Sequence, residues 1–253
     1  MHRVVWLATA LVLLTGCGGT GDDTSELTVF AASSLSAAFT HEIGPAFEAE
    51  HEGTTVVFNF AASDALAGQI QSEGTADVFA SASGTWMDAV QDDPGVSDRQ
   101  DFVQNRLVII TPPENPAGIG SIEDLANEDV QLVLAAEGVP VGDYSREALA
   151  NAGIAKEAEA NIVTNEEDNA SVVAKIASGE GDTGIVYESD ISAAADNEVV
   201  AVEIPDHVNV IATYPIAVVT GAPNADLASE FVAFVTGPDG QATLEEYGFM
   251  PAT

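Results

Sequence analysis

Two serines in this chain stand where an anion could be bound without any cation. Ser34 follows the run Leu27-Thr28-Val29-Phe30-Ala31-Ala32-Ser33, and Ser63 follows Thr54 to Phe60 with Ala61-Ala62 between. Each sits where an apolar, β-rich run gives way to a stretch of helical character. A serine at such a junction can cap the helix, and its hydroxyl adds to the free N–H groups of the first turn. A helix start carries roughly half a positive charge, so two such turns converging on one cleft make an anion site from neutral donors. Either serine alone reads equally well as a plain cap. The repetition of the strand, serine and helix order points to a ligand. Tyr187 closes the run Gly184-Ile185-Val186-Tyr187 and offers another hydroxyl at a strand end, unless its ring only packs between lobes. Other chemistries have less support. There is no Gly-x-Ser-x-Gly elbow and no serine with an evident histidine partner. His41, His51 and His207 are isolated, and no Cys/His spacing or alternating Asp loop marks a metal site. The residues describe a binding protein, not an enzyme.

The elements that must position these groups alternate between strand and helix, as in an α/β protein. Leu27 to Phe30 predicts a strand and Leu35 to Glu50 a helix. Thr54 to Phe60 and Ala65 to Ser72 repeat the plan, and Ala76 to Ala80 leads to a helix around Trp86 to Val90. Arg106 to Thr111 predicts a strand ended by Pro112-Pro113 that crosses to a second lobe. There Val130 to Ala135 is a strand, Val141 to Ser145 opens a helix, and Asn169 to Ser178 is another. Strands at Gly184 to Tyr187 and Val199 to Ile204 follow. Tyr214 to Val219 returns the chain to the first lobe, which Ala225 to Thr236 closes as a helix. The expected architecture has two lobes, each a mixed sheet flanked by helices, joined by a two-crossing hinge. Lobe 1 takes 27–108 and 214–253, and lobe 2 takes 109–213. In such sheets a ligand lies beyond the carboxyl ends of the strands, here in the cleft.

Charge and the N-terminal segment narrow the setting. Of 253 residues, 41 are Asp or Glu and 6 are Lys or Arg, which excludes nucleic acid as a partner because phosphate neutralisation needs basic residues in number. The acids are scattered along the chain and suit a solvated surface working in high salt, where the screening length falls to about 3 Å at 1 M. Arg3 precedes an apolar stretch, Val4 to Leu14, that is too short to span a bilayer and has the layout of a secretory signal. Leu14-Thr15-Gly16-Cys17 resembles the bacterial lipobox, whose cysteine is lipidated. Cys17 is the only cysteine, so no disulfide is available. The expectation is a signal over 1–16, a lipid anchor on Cys17, a polar tether through residue 26, and a place outside the cytoplasm, at the cell surface or in the periplasm. Removal of 1–16 takes Arg3 and leaves 5 basic against 41 acidic residues, a formal charge of −36.

Several segments together resemble the periplasmic molybdate-binding proteins of ABC transporters. They are Thr28 to Leu35, Phe60 to Ser63, Ala76 to Ala82 with Trp86-Met87, Gly184 to Asp190, Tyr214 to Val219 and Tyr247-Gly248-Phe249. The resemblance runs in order over nearly the whole chain after Cys17. It implies a type II periplasmic-binding-protein fold that closes on molybdate or tungstate as a monomer, without a cofactor, and delivers it to an ABC permease. Carried over by position, it implies Ser34 and Ser63 in the first lobe. In the second it implies the backbone N–H of Val141 in Val139-Pro140-Val141-Gly142, a backbone N–H near Asn169, and the hydroxyl of Tyr187. Some tungstate-binding relatives complete an octahedral metal with carboxylates, which brings Asp64, Glu167 and Asp168 into consideration. Sulfate, phosphate or ferric iron are the alternative ligands for the same fold, although iron would call for clustered tyrosines, and Tyr187 and Tyr214 are the only candidates.

Overall fold

The computed structural model describes residues 25–193 and 198–252; the expected signal segment, Cys17 and the tether up to residue 24 lie outside the described residues. The first strand, β1 (Ser25–Ala32), pairs in parallel with β2 (Thr54–Ala61) and with β3 (Val78–Ala80). Between β1 and β2 the chain is helical throughout 33–50. It passes from a 3₁₀ turn (Ser33–Leu35) through α1 (Ser36–Ala38) and a π-helical stretch (Phe39–Ile43) into α2 (Gly44–Glu50). The π stretch lies just ahead of Pro45, which has no N–H to give to the preceding turn, so the wider winding carries the helix past the lost bond. A Cβ on Gly44 would come within 2.7 Å of the Phe58 ring, so glycine there lets the helix settle on β2.

Helices cover both faces of this first sheet. Leu27, Val29 and Ala31 point to one face, where Phe39, Phe47 and Phe231 pack, the last from α9 (Ala225–Thr236). Phe47 and Phe231 meet edge to face at 5.1 Å. Phe30 points to the other face with Phe79, Ala217 and Val219, beneath Leu66 and Ile70 of α3 (Ser63–Glu73) and Met87 and Val90 of α4 (Gly84–Asp92). This division follows the period of two in a strand. The chain closes with α10 (Pro238–Glu246) and β10 (Met250–Pro251), which pairs with β4 (Val96–Thr111).

β4 joins the two lobes. Through Arg106 it pairs antiparallel with β9 (Ile211–Val219), and from Leu107 onward with β7 (Thr183–Tyr187) and β8 (Val200–Glu203). In the second lobe β5 (Leu132–Ala135) lies between β7 and the edge strand β6 (Ile162–Glu166), all parallel. The order is β2-β1-β3-β9-β4-β7-β5-β6, with β8 and β10 on β4. The second lobe's helices are α5 (Pro140–Asn151), α6 (Ala155–Ala160), α7 (Asn169–Ala177) and α8 (Glu188–Ala193). At the crossover Leu107 would lose its backbone partners as β4 changes neighbours. The Asn209 amide replaces them, accepting from Leu107 N–H at 3.1 Å and donating to Leu107 C=O at 2.9 Å. Since Asn209 lies on the returning segment, one side chain ties the two crossings of the hinge together.

Three features differ from the sequence reading. β4 begins ten residues before Arg106, because Val96 to Asn105, although rich in exposed polar residues, is held in register by β9. β6 is a half-exposed edge strand without strong alternation, and α6 and α10 are short and acidic, so their local patterns are weak.

Candidate functional site

A small, partly open space lies between the lobes where the strand ends meet. Its walls are Ala32, Ser33, Ala62, Ser63 and Ala82 from the first lobe, and Val139, Pro140, Val141, Asn169 and Tyr187 from the second. Ser63, Val141, Asn169 and Tyr187 are thus brought together from four separate elements. Ser63, Val141 and Asn169 each belong to the first turn of a helix, α3, α5 and α7 respectively. In α3 the first intrahelical bond runs from Leu66 N–H to Ala62, in α5 from Asp143 to Val139, and in α7 from Val172 to Asp168. The N–H groups before those positions therefore have no acceptor within the helix. Three helix starts face one cavity, and among the described residues no Lys or Arg lines it.

Tight packing sets the approach of α5. A Cβ on Gly142 would lie 2.2 Å from the Ala136 carbonyl and 2.6 Å from that of Ala135, so only glycine lets the helix start sit against the end of β5. Arg146, one turn further on, donates to the Ala135 and Gly142 carbonyls at 2.8 and 2.9 Å and fixes the same junction.

The serines do not behave as caps. The N-cap of α3 is Ala62 in extended conformation, and that of the 3₁₀ turn is Ala32, neither with a side-chain bond. Ser63 Oγ instead accepts from Ala82 N–H at 2.9 Å. Ser34 is buried but is not in the cavity wall; its hydroxyl pairs with Tyr214 Oη at 2.9 Å, and Asn105 Nδ2 also reaches that tyrosine at 3.4 Å. Ser33, the neighbour that the sequence did not single out, lines the cavity and donates across the cleft to Asn169 Oδ1. The doublet Ser33-Ser34 offers two hydroxyls pointing different ways, and nothing local tells which faces the cleft.

Tyr187 is 1% exposed, and its hydroxyl makes no well-formed hydrogen bond among the described residues, having only a weak interaction with the Tyr214 hydroxyl. Its ring meets Tyr214 edge to face at 5.8 Å. Burial raises its pKa well above the tyrosine range, and Tyr214, Tyr144 and Asp190 add to the rise, so the phenol stays protonated and can only donate to an anion. A buried donor without a partner costs stability unless something accepts from it.

Behind the wall lies Asp190, also missed from sequence. It is 5% exposed, accepts from Asn169 Nδ2 at 2.6 Å and from Tyr187 N–H at 3.0 Å, and pairs with no cation among the described residues. Burial pushes its carboxyl up to about 7, against those two donors, with Asp168 contributing to the rise. The available signal was the spacing Tyr187-x-x-Asp190, which puts a carboxylate back over the strand end. Trp86 Nε1 donates to Gly138 C=O at 2.9 Å, a second bond across the cleft.

The carboxylates considered for direct coordination stand outside the cavity wall. Asp64 has one carboxyl oxygen buried without a partner among the described residues, and burial raises its pKa. Asp168 caps α7 by accepting from Ser171 N–H at 2.8 Å, and Glu167 is exposed. Among the described residues no group of three or more His, Cys, Asp or Glu is placed to hold a metal ion. A larger open groove of about 570 Å³ borders Asp98, Arg99 and α9, but Arg99 there is bonded to Asp88 and Gln91 and donors do not converge.

Two lobes around a hinge, with donors converging where they close, define a binding protein of the extracytoplasmic solute-capturing class. The chain belongs to the bacterial extracellular solute-binding protein family, whose model matches residues 27–250. It is 35% identical to the molybdate-binding protein ModA of Mycobacterium tuberculosis over 263 residues, covering 98% of each chain. Against the molybdate-binding protein ModA of Escherichia coli it is 34% identical over 235 residues, covering 90% of each. Among solved structures, the periplasmic molybdate-binding protein of Azotobacter vinelandii superposes with a TM-score of 0.77 at 19% identity, over 90% of this chain and all of that one, and so shares the fold. No helix of the described residues is long and apolar enough to cross a membrane.

Proposed function

We propose that this protein captures molybdate or tungstate as a tetrahedral dianion between its lobes and delivers it to an ABC permease, as a monomer tethered through a lipid on Cys17. The observation that carries the reading is the convergence of three helix starts and the partnerless Tyr187 hydroxyl on a cavity without cations. Such a ring of donors suits a ligand that presents only acceptors. Ser33, Ser63 and Tyr187 would give hydroxyls, and Val141 and Asn169 backbone N–H groups. Hydrogen phosphate carries a proton that needs an acceptor, and a ring made chiefly of donors suits it less well than a ligand with acceptors alone, so phosphate should bind poorly. Ser34 would support the site by holding Tyr214 and the turn that bears Ser33. The identity of 35% to a molybdate-binding protein supports the same ligand.

The cavity is about 10 Å³ in this closed arrangement, room for about one water. An oxyanion of five heavy atoms therefore enters when the lobes part and the Ser33 hydroxyl leaves Asn169 to donate to the ligand. Calorimetry of the soluble domain against molybdate, tungstate, sulfate and phosphate tests the assignment. Tight binding of the first two is expected; a response to sulfate or phosphate alone would overturn it.

A further inference from the structure

We propose that Asp190 is the positioning and proton-linked residue of the anion site: its carboxylate orients Asn169 and the Tyr187 strand end, and it takes up a proton when the dianion binds. The inference rests on the functional reading above.

Two walls of the cavity hang on this one side chain. Oδ1 accepts from Asn169 Nδ2, so the amide can turn only its oxygen toward Ser33 across the cleft. Oδ2 accepts from Tyr187 N–H, at the residue whose unpartnered hydroxyl faces the cavity. Asp190 has no cation among the described residues to neutralise it, and it is almost fully buried. The groups facing it make matters worse for a charge. Asp168 at the start of α7 adds a like charge, and Tyr187 and Tyr214 are neutral phenols. β4 presents the neutral Asn105, bonded to Ser189, and the 3₁₀ turn presents serines.

A dianion arriving on the other side of Asn169 and Tyr187 adds two negative charges close to a carboxylate in a poorly screened interior. The cheapest relief is a solvent proton added to a carboxyl oxygen of Asp190, which leaves a neutral acid whose oxygens still accept from both partners. The carboxyl is poised for this, since burial already holds it at about 7 in the empty protein, and the anion would raise it further. Below that value the group is already protonated and binding has no proton to take up. Above it each anion brings in a proton, so affinity falls with rising pH by up to about tenfold per pH unit.

Calorimetry with molybdate as the probe, in two buffers of different ionisation heat and from about pH 6 to about pH 9, reads both quantities. Expected are a flat affinity at the acid end, a decline above about pH 7, and uptake of roughly one proton per anion at the alkaline end. In Asp190→Asn the uptake should vanish and the profile flatten. Asparagine cannot accept from two donors on two oxygens, so affinity should also drop at acid pH. Molybdate binding by the parent protein with no proton exchange and a flat profile would overturn the proposal and leave the ligand assignment standing. Asp190→Asn retaining the parent's uptake would also overturn it. No binding of any oxyanion at any pH would overturn both. Should Asp190→Asn fail to fold, the proton count of the parent protein decides alone.

Discussion

Replacing Tyr187 by Phe should weaken anion binding while leaving the empty protein at least as stable, and this opposition of signs distinguishes a ligand donor from a packed aromatic. The hydroxyl is buried and makes no well-formed hydrogen bond to a described residue, so its removal costs at most a weak interaction with the Tyr214 hydroxyl. The ring is kept, and with it the edge-to-face contact to Tyr214 at 5.8 Å. Burying an unpartnered hydroxyl costs about 1–3 kcal/mol, so the anion-free Phe variant should gain stability. In a domain of this length about 1 kcal/mol raises the melting temperature by roughly 2–4 °C. With the anion bound the balance reverses. A hydrogen bond to a charged group contributes about 1.5–3 kcal/mol, and about 1.4 kcal/mol is tenfold in affinity, so binding should weaken by about ten- to hundredfold. Differential scanning calorimetry without anion and titration calorimetry with molybdate measure the two halves. A lower melting temperature in the empty variant, or an unchanged affinity, would refute the placement of this hydroxyl in the site.

Ser63→Ala should also weaken molybdate binding by about ten- to hundredfold, and because Ala82 N–H loses its acceptor it should destabilise the empty protein, in contrast to Tyr187→Phe. The Asp190 carboxyl, raised from 3.8 to about 7 on folding, binds more protons in the native state, so stability should fall as pH rises from about 4 to about 7 and then level. That slope is worth about 4 kcal/mol; urea titrations across this range should show it in the parent protein, and its full persistence in Asp190→Asn would assign it to another group. With 41 acidic against 6 basic residues, the melting temperature should climb from low salt to about 2 M KCl; a flat or falling trend argues against a salt-adapted surface. Cys17→Ser should release the protein from the membrane fraction, since no other thiol can be lipidated, and unchanged membrane association would sink the anchor.

The sequence by itself determined whatever is local. The alternation of apolar runs and helical stretches placed β1, β2, β7, α3, α7 and α9 close to their observed positions, because periodicity and strand-end turns are written in neighbouring residues. Serine at the strand-to-helix turn located the mouth of α3, and Val141 to Ser145 marked the start of α5 to within a residue. The tertiary structure alone decided which groups share the cavity. Ser34 turns away because Tyr214, 180 residues on, takes its hydroxyl, and Ser33 faces Asn169, 136 residues on. Ser97 to Asp101, polar and exposed, becomes strand only because β9 returns beside it. Asp190 gains its role from burial and from two donors, Tyr187 N–H and the Asn169 amide, brought together by the packing of α7 against the end of β7. Each of these depends on hydrogen bonds or desolvation between segments distant in the chain, within one lobe or, for Ser33 and Asn169, across the cleft, a relation that no stretch of sequence carries within itself.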